Sequence, residues 1–137
     1  MKKQKEPRGI VFIITKEQKF LLQLRDEHSL RDPNKWVFPG GRSDKGEDEV
    51  ATVIREAKEE TDLDLQQKDC TLIMKRFAGQ NSVYVCTLKQ NQKLKVNEGA
   101  AFEWMTLDEV NQLELGYDQD DIVPVLKRYI ALISLDQ

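Results

Sequence analysis

Residues 40–63 read GGRSDKGEDEVATVIREAKEETDL, and the rest of the chain is organised around them. A glycine pair and a short polar loop lead into a run with helical spacing. The helix is predicted to open at Gly46 and Glu47, with acidic residues in its first turn, where the helix dipole favours negative charge. The other end is acidic as well, because Glu59 and Glu60 fall in the last turn, where the dipole favours Lys or Arg. Selection for helix stability alone does not explain that ending.

Helical spacing places three carboxylates on one face. Glu56, Glu59 and Glu60 are separated by steps of three and four residues, which bring side chains together. Two carboxylates about 5 Å apart repel by roughly 3 kcal/mol at an effective dielectric of about 20, so a positive charge is expected nearby. A purely oxygen ligand set favours Mg²⁺ or Mn²⁺, which commonly binds together with substrate phosphates. The alternative is a solvated acidic face whose charge is offset by neighbouring Lys and Arg side chains.

The same stretch fits a longer pattern of fixed residues, G-x5-E-x7-R-E-A-x-E-E-x-D-L. Its positions are occupied by Gly41, Glu47, Arg55, Glu56, Ala57, Glu59, Glu60, Asp62 and Leu63. This pattern closely resembles the Nudix box of the Nudix hydrolases, which cleave nucleoside diphosphates linked to another moiety. The preceding FPGG at 38–41 resembles the segment before the box in many of these enzymes. Asp62 departs from the family, which has glycine there, a residue that adopts the left-handed conformation after a helix without strain.

The resemblance implies a fold and a reaction. The fold is α/β, a Nudix α/β/α sandwich with a mixed β-sheet between helices. The reaction is MutT-like and Mg²⁺-dependent, with Mn²⁺ as a substitute: a nucleoside triphosphate is hydrolysed to a nucleoside monophosphate and pyrophosphate. Two alternatives stay open, namely a nucleotide-sugar or coenzyme A pyrophosphatase, and a non-catalytic nucleotide-binding sensor.

Positions in the box imply roles for individual residues. Glu56 is implied as a catalytic residue, either general base or metal ligand, and Arg55 as the residue that orients it. Gly41 and Glu47 are implied to support the box structurally. The metal ligands implied within the box are the Gly40 carbonyl, Glu56, Glu59 and Glu60.

A second acidic candidate lies downstream of the box. The segment NEGAAFEWM at 97–105 resembles a loop of MutT-like members in which a glutamate precedes a glycine. Glu98 is therefore predicted as a further metal ligand or as the catalytic base, and the sequence does not decide between Glu98 and Glu56. Glu103 is the second choice, and a solvent-facing loop glutamate is the alternative for Glu98.

Substrate contacts are predicted from residue type and place. Phe38 and Tyr84 are candidates for stacking on a base, although aromatic side chains are more often part of a core. The resemblance to MutT-like enzymes implies that polar residues before the last helix read a base edge, and helix capping explains an Asp there equally well. These polar candidates are Asp118, Gln119 and Asp120.

Composition narrows the class of protein. The 137 residues suffice for one domain with a core, and a net charge of −3 argues against dedicated nucleic-acid binding. Cys70 and Cys86 are predicted to be free thiols, and the single His28 argues against a zinc site. No segment has the length and apolarity of a membrane span, so a cytoplasmic protein is expected. The resemblance implies a small nucleotide as the partner. The oligomeric state stays open, a homodimer being one option.

Periodicity predicts the remaining elements of a single domain spanning 1–137, with 1–8 as a loose N-terminal arm. The run GIVFIIT is apolar throughout and predicts a strand buried on both faces. Thr106 and Glu109 form a capping-box pattern at the start of a helix. Residues 90–96 are a polar hairpin end or a further strand. Strands are expected at 9–15, 20–25, 36–41, 72–79, 83–88 and 102–105, and helices at 107–113 and 122–134.

Overall fold

A computed structural model describes residues 7–77, 79–96 and 101–135. The elements in chain order are β1 (Arg8–Ile14), β2 (Phe20–Leu24), β3 (Trp36–Val37), β4 (Gly40–Arg42), α1 (Glu49–Thr61), β5 (Cys70–Arg76), β6 (Asn81–Thr87), β7 (Ala101–Met105), α2 (Leu107–Asn111) and α3 (Val123–Leu135). Short 3₁₀ turns occupy Gln67–Asp69 and Gln119–Asp121. Within these described ranges, no helix is long and apolar enough to cross a membrane.

The strands form one mixed sheet, as predicted. Its order is β3-β2-β1-β6-β5, with β4 paired to β1 and β7 paired to β2. The β1–β6 pair is parallel, and the other pairs are antiparallel. The N-terminal half of β1 therefore lies between β4 and β6, which brings the glycine turn of the box to the centre of the sheet.

Strand β1 is buried on both faces, which confirms the two-sided pattern of its sequence. Ile10, Phe12 and Ile14 join the core formed with α2 and α3. Val11 and Ile13 join a second core on the other face, where α1 packs. Helices thus cover both faces of the sheet, so the α/β/α sandwich is confirmed.

Helix α1 begins later than the sequence predicts. Glu49 is its first residue, and Asp48 is the N-cap, accepting a hydrogen bond from the Ala51 N–H at 2.8 Å. Gly46 has φ +80° and belongs to the preceding turn, so it does not open the helix. At the other end Asp62 adopts the left-handed conformation, φ 62°, and its N–H donates to the Lys58 carbonyl. The position usually held by glycine therefore keeps its conformation here, with Lys58 Nζ 2.9 Å from the Asp62 carboxylate.

The strand alternative for residues 90–96 is wrong. This segment has no regular secondary structure and packs against the end of α1. The Gln92 side chain bonds both the N–H and the carbonyl of Asp64, at 2.7 and 3.0 Å, and the Lys95 N–H donates to the Thr61 carbonyl. These hydrogen bonds tie the segment to the end of α1 and not to a neighbouring strand.

Smaller differences concern element ends. Arg8, placed in the loose arm by the sequence, belongs to β1, and its N–H donates to the Gln80 carbonyl at 2.9 Å. Helix α2 stops at Asn111, while its capping box of Thr106 and Glu109 is present as predicted. Cys70 and Cys86 face each other across β5 and β6, and both thiols are free.

Candidate active site

The box glycines let the sheet and helix α1 approach closely. A Cβ atom added to Gly41 would lie 2.6 Å from Cδ of Glu56, so the absent side chain makes room for that carboxylate. A Cβ on Gly40 would collide with the backbone carbonyl of Gly9 on the paired strand. Both positions require glycine because of contact with a neighbour, and neither has a positive φ.

Arg55 ties the loop before α1 to the carboxylates on the helix. Its guanidinium donates to both oxygens of Glu47, at 2.8 and 3.1 Å, and to the Arg42 carbonyl at 3.0 Å. Its remaining nitrogen donates to Glu56 at 3.1 Å and to Glu59 at 3.2 Å. These hydrogen bonds lower the pKa of Glu47 to about 2, and the same carboxylate raises the pKa of Arg55. Arg55 therefore fixes where Glu56 and Glu59 point.

Glu60 forms a carboxyl pair with Glu56. Burial, the hydrogen bond to Glu56 and the negative charge of Glu56 and Glu59 raise the pKa of Glu60 to about 7. Glu59 instead turns toward Arg55, and 58% of its side chain is exposed. The structure thus brings Glu56 and Glu60 together and holds Glu59 beside them.

The pair fits a hard divalent cation. Two neighbouring carboxyl groups, one of them packed against Gly41, offer the oxygen ligands that a hard divalent cation prefers. Among residues 7–77, 79–96 and 101–135, no three His, Cys, Asp or Glu side chains are arranged to hold a metal ion. Glu98 lies outside the described residues. Glu103 is exposed on β7.

A cavity of about 970 Å³ lies beside this pair. Gly40, Gly41 and Glu60 line it together with Phe38 and Gln119, two of the predicted substrate residues. Its lining also includes Ile10, which belongs to the core formed with α2 and α3.

The two aromatics predicted to stack on a base are packed against the hydrophobic cores. The Phe38 ring is 2% exposed and packs edge-on against Phe12, with 4.4 Å between ring centroids. Tyr84 packs in the core on the α1 face, opposite the face that carries Ile10, and does not line the cavity. Phe38 is thus part of the core, and Tyr84 is partly buried outside the cavity lining; base stacking by either residue stays a prediction.

The polar candidates before α3 also have structural partners. The Gln119 side-chain oxygen accepts the Phe38 N–H at 2.7 Å, and both residues are buried. Asp118 lies 3.5 Å from the Arg31 guanidinium, and Asp120 is exposed. Neither Asp118 nor Asp120 lines the cavity.

The cavity wall contains arginines that the sequence did not predict as part of the site. One lies in β1, two in the loop after β2, one in β4 and one at the end of β5, so no local spacing connects them. Hydrophobic alternation could not single them out, since each reads as an ordinary strand-end or loop residue. The five are Arg8, Arg25, Arg31, Arg42 and Arg76.

Solved structures with the same fold are numerous. A MutT structure from work on the Aliivibrio salmonicida and Vibrio cholerae proteins has a TM-score of 0.74, with 17% identity, covering 91% of this chain and 99% of that one. The NUDIX domain of Shewanella oneidensis NrtR, complexed with ADP ribose, has a TM-score of 0.71, with 20% identity, covering 93% and 90%. At these identities the likeness concerns the fold.

Sequence comparison identifies the family. A curated Xenopus laevis protein, nucleoside diphosphate-linked moiety X motif 6, is 34% identical over 86 residues. That match covers 56% of this chain and 40% of the relative, so the chain aligns with less than half of the relative's length. The NUDIX domain model matches residues 5–126. The chain therefore belongs to the NUDIX family, as the resemblance of residues 41–63 to the Nudix box predicted.

Proposed function

We propose that this chain is a pyrophosphohydrolase that cleaves a nucleoside diphosphate linked to another moiety. The leading reaction is Mg²⁺-dependent hydrolysis of a nucleoside triphosphate to a nucleoside monophosphate and pyrophosphate, with Mn²⁺ as a substitute. The observation that carries the proposal is the Glu56–Glu60 pair, placed against Gly41 at the edge of an arginine-lined cavity.

The metal would be held by Glu56 and Glu60, with Glu59 and the Gly40 carbonyl as further donors. When bound, it would offset the negative charge of the phosphates and lower the pKa of a coordinated water. Arg55 holds one oxygen of Glu56 by a 3.1 Å hydrogen bond. This hydrogen bond fixes the orientation of the Glu56 carboxylate beside Glu60.

Glu56 is the described residue best placed to act as general base. Its side chain is 19% exposed and lies against Gly41, which lines the cavity. A carboxylate within hydrogen-bond reach of the attacking water can accept its proton. Glu98 keeps its predicted role as an additional ligand or as the base.

The relatives support a nucleotide substrate. One is named for a nucleoside diphosphate-linked moiety, one is a MutT protein, and one NUDIX domain was solved with ADP ribose. A nucleotide-sugar or coenzyme A pyrophosphatase is the alternative enzyme, and a nucleotide sensor is the non-enzymatic alternative. The predicted setting remains the cytoplasm, with a small nucleotide as partner.

A substrate panel with Mg²⁺ tests the proposal. Nucleoside triphosphates, nucleotide sugars, ADP ribose and coenzyme A would each be incubated with the chain, and pyrophosphate and phosphate release would be scored separately. We expect pyrophosphate from a nucleoside triphosphate. Phosphate release alone, or turnover confined to the other compounds, would contradict the leading reaction.

Replacing each carboxylate by a carboxamide tests whether the activity depends on Glu56 and Glu60. Glu56→Gln and Glu60→Gln should each lower kcat by about two orders of magnitude or more while the proteins stay folded. Glu17→Gln is the matched control, since Glu17 is exposed in the turn after β1, at the opposite end of that strand from the cavity. Wild-type turnover in both pair variants would show that the chemistry lies elsewhere.

A further inference from the structure

Arg76, at the end of β5, is a buried cation with unmade hydrogen bonds. The residue is 9% exposed. One terminal nitrogen, Nη2, donates to the Tyr117 carbonyl at 2.8 Å, and the guanidinium lies 4.4 Å from the Phe77 ring centroid. Nε and Nη1 are buried and have no hydrogen-bond partner. Buried donors without partners are rare in folded proteins, so these two nitrogens require an explanation.

Stability does not provide that explanation. A buried guanidinium with unsatisfied N–H groups is destabilising, and an apolar side chain of similar size is often tolerated better. Burial lowers the pKa of Arg76, the direction expected for a cation removed from water without full compensation. Asp118 and Asp121 act on this charge only from a distance, and the nearby Arg31 opposes it.

Other guanidinium groups gather at the same place. The Tyr117 ring lies 4.3 Å from the Arg25 guanidinium carbon and 4.8 Å from that of Arg31, while the Tyr117 carbonyl binds Arg76. Tyr117 has φ 54°, a left-handed conformation that is strained for a tyrosine, and this backbone presents its carbonyl to Arg76. Three cations are thus held around one residue.

Two further arginines, Arg8 and Arg42, lie in one row across the sheet with Arg76. Arg42 on β4 pairs with Arg8 on β1, Arg8 pairs with Asn81 on β6, and Asn81 pairs with Arg76 on β5. Residues paired in this way point to the same face of a sheet. All four line the cavity, whose described wall contains five arginines and a single carboxylate, that of Glu60.

We propose that Arg76 is a substrate-binding residue whose buried guanidinium contacts a phosphate group of the nucleotide. The inference rests on the proposed function, because it assigns part of the substrate to the wall of the same cavity. It adds a requirement on the substrate, namely a phosphate or other anionic group that reaches Arg76 in this wall.

A phosphate accounts for the wall better than a neutral base does. An arginine can donate to the acceptor edge of a base, but a neutral base brings no negative charge to offset the buried Arg76 guanidinium. Phosphate oxygens supply both the missing acceptors and the opposite charge. The phosphate could belong to the 5′ chain or to another position on the nucleoside, and the two sources need separate probes.

Equilibrium binding without metal tests the inference. Isothermal titration calorimetry in EDTA would compare ATP, adenosine 3′,5′-bisphosphate and adenosine on the wild-type chain, Arg76→Met and Arg76→Lys. Arg128→Met is the matched control, because it removes one exposed positive charge on α3. We expect Arg76→Met to weaken binding of at least one phosphorylated probe roughly ten- to hundredfold, with adenosine and the control unchanged. Arg76→Lys should restore part of the affinity, and a larger loss for ATP or for the bisphosphate identifies the source.

Thermal unfolding of the free proteins separates binding from structure. Since Arg76 carries unmade hydrogen bonds, Arg76→Met should leave Tm unchanged or raise it. The inference is overturned if Arg76→Met lowers Tm without weakening a phosphorylated probe, if adenosine binding falls equally, or if the wild-type chain binds neither phosphorylated probe. Because calorimetry measures binding and not turnover, the Arg76 result can be interpreted even if the chain is inactive against every compound in the substrate panel. Conversely, if Arg76→Met kept full turnover and unaltered binding, the role inferred for Arg76 would be wrong while the proposed function would stand.

Discussion

Gly41 and Glu56 are in direct contact across the junction of β4 and α1, and a Cβ on Gly41 would lie 2.6 Å from the Glu56 carboxyl carbon. Separations under about 3 Å do not occur for real Cβ atoms, so a larger residue must displace the carboxyl. The carboxyl is the flexible end of a side chain, so it can move while the backbone stays. The glycine is therefore a requirement of the site more than of the fold.

Gly41→Ala should lower kcat by at least about tenfold, because it shifts the carboxyl that pairs with Glu60. The free energy of unfolding should change by less than about 1 kcal/mol, since the displaced group is a side-chain end. Steady-state kinetics and urea unfolding measure the two effects. A variant whose free energy of unfolding falls in proportion to its activity would contradict the view that Gly41 serves the site more than the fold.

The Glu47–Arg55 pair predicts how stability depends on pH. The folded pKa of Glu47, about 2, lies below its ordinary value of 4.5 because Arg55 donates to both carboxylate oxygens. A depressed carboxyl pKa contributes stability that is present above 4.5 and is lost as the pH falls toward 2. Urea unfolding of the wild-type chain should therefore show decreasing stability across that window.

Glu47→Gln removes the titrating group and should flatten this part of the pH profile. Glu17→Gln, at an exposed carboxyl, should keep the wild-type slope. A Glu47→Gln profile that stays parallel to wild type would assign the acid sensitivity to other carboxyls.

Gln119 is predicted to stabilise the turn before α3. Its buried side-chain oxygen accepts the Phe38 N–H at 2.7 Å. Gln119→Leu should cost about 1–3 kcal/mol in unfolding free energy, because it leaves that buried N–H without an acceptor. Gln90→Leu, at an exposed position, should cost less than about 0.5 kcal/mol. Equal stability of the two variants in urea would show that another acceptor replaces Gln119.

Asp62 provides a test of backbone conformation at the end of α1. Its φ of 62° is left-handed, a region that β-branched residues avoid and glycine tolerates. Asp62→Val should lower the free energy of unfolding, whereas Asp62→Gly should preserve or raise it despite losing the contact with Lys58. A valine variant as stable as the glycine variant would mean that the helix end had rearranged.

Local sequence determined much of the framework. The run 9–15 predicted a strand buried on both faces, because uninterrupted apolar residues leave no face for water. The capping box at Thr106 and the left-handed position at 62 were readable because both depend on residues within one helical turn. The box carboxylates were readable for the same reason, since fixed helical steps place Glu56 and Glu60 side by side.

Tertiary structure decided which residues face the cavity. Alternation indicates that a strand has two faces, but it does not say which side chains will line the cavity. Tyr84 lies on the α1 face and outside that lining. Phe38 lines the cavity, and its ring packs against Phe12. The convergence of Arg25, Arg31 and Arg76 on Tyr117 depends on strand register and loop path, which bring together residues far apart in sequence. The spacing of residues along one helix determined where the carboxylates lie, whereas only long-range packing brings the arginines of the cavity wall together.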